Sequence, residues 1–396
     1  YYQSIHEIKV LLISIILINE VLKKIILDSF VTVFQAKNDV KKTQTILICQ
    51  SIMGFVLIVS ILNFLHNIEV LAMIHLCQTI VGIIIVTLYL WKSDVRGTVH
   101  INKHILTKYW HYTKPLVVAS FFGLMYVNLG PILIDKFAGK AELGLFVIAK
   151  KFNIIVLSVS AAIVNINFSN LSKIASKNKK KMMNQYTRKV TRYVSLITVP
   201  LIVLIIIFID EITHIFFGSS FYQSAELILY YMISVLLVTY ARTIGYVLLS
   251  LEKTVAISKI SIYSRSLGLI LFFIFLPNEL FGIKMLGLGA KGLIFVRTII
   301  AFITVSLTIY YNHKYANVKF YYKILLHIAV ATCVGIGIFH FKYAIENIYL
   351  SLMIFSLVFT FAYIIILYLV GELRKLDYLY FIDVFNLKKF AKFIIS

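Results

Sequence analysis

Seven basic residues lie inside stretches of the sequence that are otherwise apolar enough to cross a membrane. They are Lys23, Lys24, Lys150, Lys151, Arg242, Arg265 and Arg297. The acidic residues counted with them are Glu20 and Asp28, with Asp135 at the edge of another stretch. Five further charged residues near the ends of such stretches are assigned to the adjoining loops: Asp210, Glu211, Glu226, Lys259 and Lys291. A purely structural set of ion pairs should be close to balance, because an unpaired buried charge is costly. The surplus of cations therefore predicts a polar cavity that receives an anion.

Some of these charges also have a structural interpretation. Glu20, Lys24 and Asp28 recur every four residues, so they form a stripe on one helix face. The stripe is either a ladder of ion pairs or part of a cavity lining. Lys150 and Lys151 lie about 10 Å from the end of their stretch, so their long side chains either reach the membrane surface or face the cavity.

The three arginines differ in their expected depth. Arg265 and Arg297 lie near the middle of their stretches, where reaching the surface is difficult, so we expect both to face a polar cavity. Arg242 lies nearer one end, in a stretch rich in tyrosine. Tyrosine rings stack on sugars, but they also pack between helices and at membrane interfaces, so both interpretations stay open here.

The composition requires a membrane protein. Of the 396 residues, 60% are hydrophobic, and the mean hydropathy is +0.91. A soluble domain of this length is not so apolar, so the chain is predicted to be an all-α polytopic membrane protein. Most of the basic residues behind the net charge of +22 lie in short loops and in the C-terminal tail. The charge therefore indicates membrane topology and not a nucleic-acid partner.

Eleven stretches are long enough to span a bilayer as helices, since about 20 residues cross about 30 Å of hydrocarbon. They are Val10–Gln35, Thr43–Leu65, Val70–Trp91, Pro115–Ile134, Leu143–Leu171, Tyr193–Phe217, Ala225–Leu249, Val255–Phe275, Leu286–Tyr310, Ile324–Phe341 and Ile348–Val370. Their continuously apolar interiors favour helices over the alternating strands of a membrane barrel.

Basic residues concentrate in alternate loops, above all between residues 173 and 192 and in the C-terminal tail. The positive-inside rule places these loops and the C-terminus in the cytoplasm, and Tyr1 outside. Because Tyr1 is placed outside, we predict that an odd number of spans precedes this sequence. We take that number as three. The basic loops are also expected to contact anionic membrane lipid.

A weak internal repeat supports two lobes in the same orientation. Gln50 and Gly54 align with Arg265 and Gly268, at shifts that relate segments six predicted spans apart. Parallel repeats of this kind occur in transporters that have two similar lobes. We predict that residues 1–112 hold the last three spans of a first lobe, residues 113–312 a second lobe of six spans, and residues 313–396 two extra spans with a basic tail.

Features that would indicate an enzyme are missing from the sequence. It has no phosphate-binding glycine loop and no nucleophile motif, and its histidines are scattered. The three cysteines fall in apolar stretches at spacings that suit neither a disulfide framework nor a metal site. We expect no catalytic residue, no metal and no cofactor.

The segment Leu133–Ile155 resembles a signature of polysaccharide flippases in the multidrug/oligosaccharidyl-lipid/polysaccharide exporter superfamily. In that signature an acid ends the seventh span, and a glycine turn and a Glu-x-Gly-Tyr-x-x-Ala segment open the eighth. The matching residues are Asp135, Gly139, Glu142, Gly144 and Ala149, with Phe146 in the tyrosine position. The resemblance continues through Phe34–Lys37, Phe168–Ile174, Ile215–Ile228 and Gly245–Thr254, and covers about residues 10–375.

The resemblance implies a fold of fourteen spans, of which about eleven are present here. It also implies that an undecaprenyl-pyrophosphate-linked oligosaccharide is moved from the inner to the outer leaflet of the inner (plasma) membrane, as for O-antigen and other surface polysaccharides. The polysaccharide polymerase machinery would then be a further partner. On this interpretation the seven cations line a cleft between the lobes and hold the pyrophosphate and acidic sugars, while Glu20 or Asp28 exchanges a proton or sodium ion.

Other functions remain open on the sequence alone. A small-molecule exporter of the same superfamily would carry acids in its cavity to bind organic cations, whereas the surplus here is positive. A membrane glycan polymerase or ligase would need a large outer loop with arginine or histidine, and every outer loop is short. A non-transporting scaffold would lack a cavity.

Overall fold

The computed structural model describes residues 2–36, 40–62, 68–92, 102–177 and 179–373. Contacts along the chain divide it into two units, one of residues 1–100 with 379–396 and one of residues 101–378. The predicted boundaries at residues 112 and 312 and the six-span lobes stay a prediction.

The described part of the first unit is helical. Its elements are α1 (Tyr2–Leu22), a π-helical turn (Lys23–Leu27), α2 (Asp28–Ala36), α3 (Val40–Leu62) and α4 (Ile68–Lys92). A small core forms where these helices meet, from Leu27, Phe34, Ile46 and Val86. The π turn widens the helix at Lys23 and Lys24, and such turns are often found at functional sites.

The second unit holds most of the long helices. They are α5 (Lys103–Phe137), α6 (Lys140–Ser176), α7 (Lys180–Ile207), α8 (Ile209–Phe217), α9 (Ser224–Ser250), α10 (Thr254–Phe275), α11 (Gly289–Ala316), α12 (Lys323–Phe341) and α13 (Ile348–Leu369). Two short strands, β1 (Glu279–Leu280) and β2 (Ile283–Lys284), form an antiparallel hairpin between α10 and α11.

Within the described residues, ten helices are long and apolar enough to span a membrane, which confirms the all-α polytopic fold. They are α3 to α7 and α9 to α13. The remaining predicted span, Val10–Gln35, is the first along the chain. It corresponds to α1, the π turn and α2 and is not among the ten. The predicted span Tyr193–Phe217 was wrong at its end. The backbone leaves the helical conformation at Phe208, and α8 begins anew at Ile209.

Two apolar clusters hold the second unit together. One joins α5, α6, α7, α9, α10 and α11 through residues such as Phe146, Met232 and Leu293. The other attaches α12 and α13 to α7 and α9 through residues such as Phe359 and Ile338. The second unit is therefore a set of six long helices to which the last two are packed.

The signature segment ties α6 to the start of α11. The backbone N–H of Ala290 donates a hydrogen bond to Oε2 of Glu142, at 2.7 Å. A carboxylate is favourable at this position, because a helix N-terminus presents unpaired N–H groups and a partial positive charge. Gly289 has φ of +50°, and a Cβ there would lie 2.2 Å from the same oxygen. This contact fixes the position from which α11 runs to Arg297.

A buried carboxylate joins the last two helices to the rest of the second unit. The side chain of Glu372, just after α13, is 2% exposed and receives hydrogen bonds from Arg192 on α7, Lys323 on α12 and Tyr321. His327 lies beside it, 3.7 Å away. Burial alone would raise the pKa of Glu372, but the hydrogen bonds from Lys323, Arg192 and Tyr321 outweigh burial and lower it.

Replacing Glu372 with Gln should destabilise the second unit by about 3 kcal/mol, because it leaves the largely buried Arg192 and the partly exposed Lys323 without their counter-charge. The apparent melting temperature in detergent measures this. Because the pKa is lowered in the folded state, the stabilisation is complete above the ordinary value of 4.5 and is lost as pH falls through the folded pKa. Glu346→Gln, at an exposed position, is the control. Equal melting temperatures for the two variants would contradict the assignment.

Candidate functional site

A cavity of about 600 Å³ lies inside the second unit, between α5, α6, α9, α10 and α11. Much of its lining is one stripe of α9, which includes Tyr231, Val238, Arg242 and Tyr246. The stripe recurs every three to four residues, the repeat expected for one face of a helix. The cavity therefore extends along α9 for most of its length.

Arg297 of α11 lies against three aromatic rings. Its guanidinium carbon lies 5.2 Å from the ring centre of Phe146, 5.8 Å from that of Tyr231 and 6.0 Å from that of Tyr126. One nitrogen, Nη1, donates a hydrogen bond to the hydroxyl of Tyr231 at 2.6 Å. The other two nitrogens are buried and have no hydrogen-bond partner among the described residues. The rings attract the cation, but they leave most of its hydrogen-bonding capacity unused.

Arg265 of α10 crosses to α5. Its Nη1 donates a hydrogen bond to the backbone carbonyl of Ala119 at 3.0 Å. The guanidinium fits there because α5 has a glycine one turn after Ala119, and a Cβ at Gly123 would lie 2.0 Å from Nη1. A carbonyl satisfies one donor of this side chain but does not neutralise its charge.

Arg242 of α9 is exposed, lines the cavity and makes no ion pair with a described residue. One turn further along the same face, Tyr246 donates a hydrogen bond to Oδ1 of Asn165, at 2.8 Å. Phe168 packs edge-on against the ring of Tyr246. The region around Arg242 thus combines aromatic rings and an amide with a guanidinium that has no ion-pair partner among the described residues.

The described lining of the cavity contains three arginines and no acidic residue. Arg242, Arg265 and Arg297 come from three helices, and none forms an ion pair with a carboxylate in the described part of the chain. Serine and threonine hydroxyls complete the polar surface. The site can bind an anion by charge and by several N–H donors at once.

Lys150 and Lys151 lie on α6 outside the set of residues that line the cavity. Lys151 is exposed and Lys150 is half-buried. The charge of Lys150 is close enough to that of Arg297 for the two to interact. The role of both lysines in substrate binding stays a prediction.

In the first unit the charged stripe is partly paired. Lys24 forms an ion pair with Asp28 at 2.8 Å, while Lys23 and Glu20 are exposed. Both partners in the pair are substantially exposed, so the pair itself adds little stability. Asp28 is thereby less available as an ion-coupling group than Glu20. The proposed roles of these four residues remain predictions.

Three residues around Arg297 were not recognised as site residues in the sequence. Tyr126 and Phe146 provide ring faces, and Asn153 donates a hydrogen bond to the hydroxyl of Tyr231 at 3.2 Å. Phe146 belongs to the signature segment, so the motif itself was the available signal. Tyr126 and Asn153 carry no comparable signal, because an aromatic or amide side chain in an apolar stretch has many structural uses.

Comparison with known proteins identifies the family of the chain and leaves the roles of the site residues as predictions. A family described as "Polysaccharide biosynthesis protein" matches residues 7–226. The chain belongs to this family. The resemblance to polysaccharide flippases seen in the signature segment is confirmed.

A curated relative is the "Probable low-salt glycan biosynthesis flippase Agl15" of Haloferax volcanii, which is 26% identical over 235 residues. The match covers 59% of this chain and 48% of the relative, so the chain spans about half the length of the curated relative it matches.

Solved structures share the fold. The lipid II flippase MurJ, in an inward closed conformation, has a TM-score of 0.56 at 15% identity and covers 80% of this chain and 66% of its own. The Vibrio cholerae MATE transporter VcmN, in the bent form, has a TM-score of 0.51 at 17% identity over 73% of this chain and 67% of its own. At these identities the likeness concerns the fold alone.

The hydroxyl of Tyr231 should be needed to hold Arg297. Replacing Tyr231 with Phe removes the one acceptor of this guanidinium, and we expect a loss of about 2 kcal/mol in stability. The neighbouring Tyr230 packs on Phe295, and its hydroxyl makes no hydrogen bond with another described residue, so Tyr230→Phe is a matched control that should be close to neutral. Thermal unfolding of the purified variants measures the difference, and equal effects would refute the role of this hydroxyl.

Proposed function

We propose that this protein moves an undecaprenyl-pyrophosphate-linked oligosaccharide from the cytoplasmic to the outer leaflet of the plasma membrane. The observation that carries the proposal is the cavity with three arginines and no acid among its described lining residues. A pyrophosphate supplies the missing negative charge, and the bidentate geometry of guanidinium suits phosphate oxygens. The lipid tail would stay in the bilayer while the charged part crosses.

Alternating access provides the movement. One lobe rocks against the other and exposes the bound head group to each side in turn. With the cytoplasm negative, moving two negative charges outward is favoured by up to ~5 kcal/mol at ~100 mV. The membrane potential can therefore drive transport, with Glu20 or Asp28 as the groups that would add coupling to a proton or sodium ion.

The positive-inside rule provides the orientation of this proposal. It places the α9–α10 turn, the segment around Lys173–Arg192 and the C-terminus on the cytoplasmic side. The same basic segment would contact anionic lipid. The end of the cavity near Tyr246 then faces the cytoplasm, where a lipid-linked glycan would be received, and the polysaccharide polymerase machinery would act on the product outside.

The charge of the cavity disfavours the other transport function. A small-molecule exporter for organic cations needs carboxylates in its cavity, and none is present among the described lining residues. We therefore propose that the cavity recognises an anionic group of the cargo. We also propose that transport involves no covalent catalysis.

Loss of the arginines should stop transport without unfolding the protein. We expect Arg265→Gln with Arg297→Gln to lower the rate of flipping of a fluorescent polyprenyl-pyrophosphate-linked glycan in proteoliposomes by at least about tenfold, since each charged hydrogen bond is worth about 1.5–3 kcal/mol. Arg297→Lys, which keeps the charge, should retain more activity than Arg297→Gln.

The control is Lys284→Gln, which removes one exposed positive charge from β2. It should flip at the wild-type rate. Undiminished flipping by the double arginine variant, with normal thermal stability, would rule out the cavity as the transport site.

A further inference from the structure

We infer that the cavity recognises two separate anionic groups on its cargo, the pyrophosphate and a carboxylate on a sugar further along the glycan. The substrate class is then an acidic, uronate-type lipid-linked glycan and not a neutral one. This inference rests on the proposed function and adds a specificity to it. It assigns the pyrophosphate to Arg265 and Arg297, and the acidic sugar to Arg242.

The spacing of the arginines is the first reason. Arg297 is bonded to Tyr231, and Tyr231 and Arg242 lie on the same face of α9, eleven residues apart. That separation is about 16 Å along the helix axis. This distance joins backbone positions of α9 and not the guanidinium groups themselves. Because a pyrophosphate is much shorter, we infer that one pyrophosphate engages the Arg297 end or the Arg242 end but not both. A second anionic group, separated from the first by sugar units, would occupy the other end.

The grouping of the three arginines indicates which end of the cavity binds the pyrophosphate and which end binds the sugar carboxylate. Arg265 and Arg297 meet neighbouring parts of α5. Nη1 of Arg265 lies beside Gly123, and the guanidinium carbon of Arg297 lies 6.0 Å from the ring centre of Tyr126, three residues further along, so we take their charges as one group. Two neighbouring guanidinium groups match the concentrated charge of a pyrophosphate. Arg242 is single and exposed, which matches one carboxylate bound by one planar guanidinium.

The surroundings of Arg242 suit a sugar. The ring of Tyr246 lies one turn away on the same helix, and Asn165 accepts the hydrogen bond from its hydroxyl. A ring face packs against the apolar side of a pyranose, and an amide bonds its hydroxyls. By contrast, Arg297 is surrounded by three rings that already contact its guanidinium. The Arg242 end therefore has the open polar surface that a glycan requires.

The test compares binding of three probes to the purified full chain in nanodiscs. The probes are polyprenyl-pyrophosphate trisaccharides that are neutral, or carry glucuronate in the first sugar, or carry glucuronate in the last sugar. We expect the wild type to bind the last-sugar acid about tenfold more tightly than the neutral probe, and to gain less from the first-sugar acid. Arg242→Gln should bind all three alike, whereas Arg297→Gln should weaken all three.

Lys259→Gln is the control, since Lys259 is exposed on α10 and does not line the cavity. It should keep the wild-type preference. Equal binding of neutral and acidic probes by the wild type, or an unchanged preference in Arg242→Gln, would overturn this inference. In either case, binding that depends on Arg297 would still support the proposed function. No binding of any probe would overturn both.

Discussion

The guanidinium of Arg297, on a membrane-spanning helix, is held by three aromatic rings and one tyrosine hydroxyl, while two of its nitrogens find no hydrogen-bond partner in the described part of the chain. Keeping a cation in such a place is expensive unless something compensates it. Arg265 and Arg242 share the same cavity and also lack a carboxylate among the described residues. An anionic cargo supplies the missing counter-charge in this cavity, and the proposed transport of a pyrophosphate-linked glycan depends on this.

Other buried charges of the same chain show how it treats charges with a structural role. Glu372 receives hydrogen bonds from Arg192, Lys323 and Tyr321. Lys342, which is 2% exposed, pairs with Glu211 at 2.8 Å and donates to the carbonyl of Ile207. These charges are paired within the protein and lie at helix ends, where they join helices. The three cavity arginines differ from these charges in two ways. They have no carboxylate partner among the described residues, and they line a cavity instead of joining helix ends.

The sequence was sufficient for the all-α fold and the family, because long apolar stretches and the signature around Glu142 are local signals. It also singled out Arg242, Arg265 and Arg297, since charges stand out in apolar stretches. It did not predict that these three share a cavity within the second unit, nor that Tyr126, Phe146 and Asn153 surround Arg297. Those contacts depend on which faces of α5, α6 and α11 meet. The end of α7 at Ile207 was missed because the apolar stretch continues into α8, so hydropathy does not change where the backbone turns.

A cryo-electron-microscopy structure of the protein with a polyprenyl-pyrophosphate-linked glycan bound would show directly whether the cavity arginines hold the pyrophosphate. We expect density for the two phosphates beside Arg265 and Arg297, with nitrogens of Arg297 turned from the aromatic rings towards the phosphate oxygens. Phosphate density elsewhere, with Arg297 still enclosed by Tyr126, Phe146 and Tyr231, would contradict this expectation.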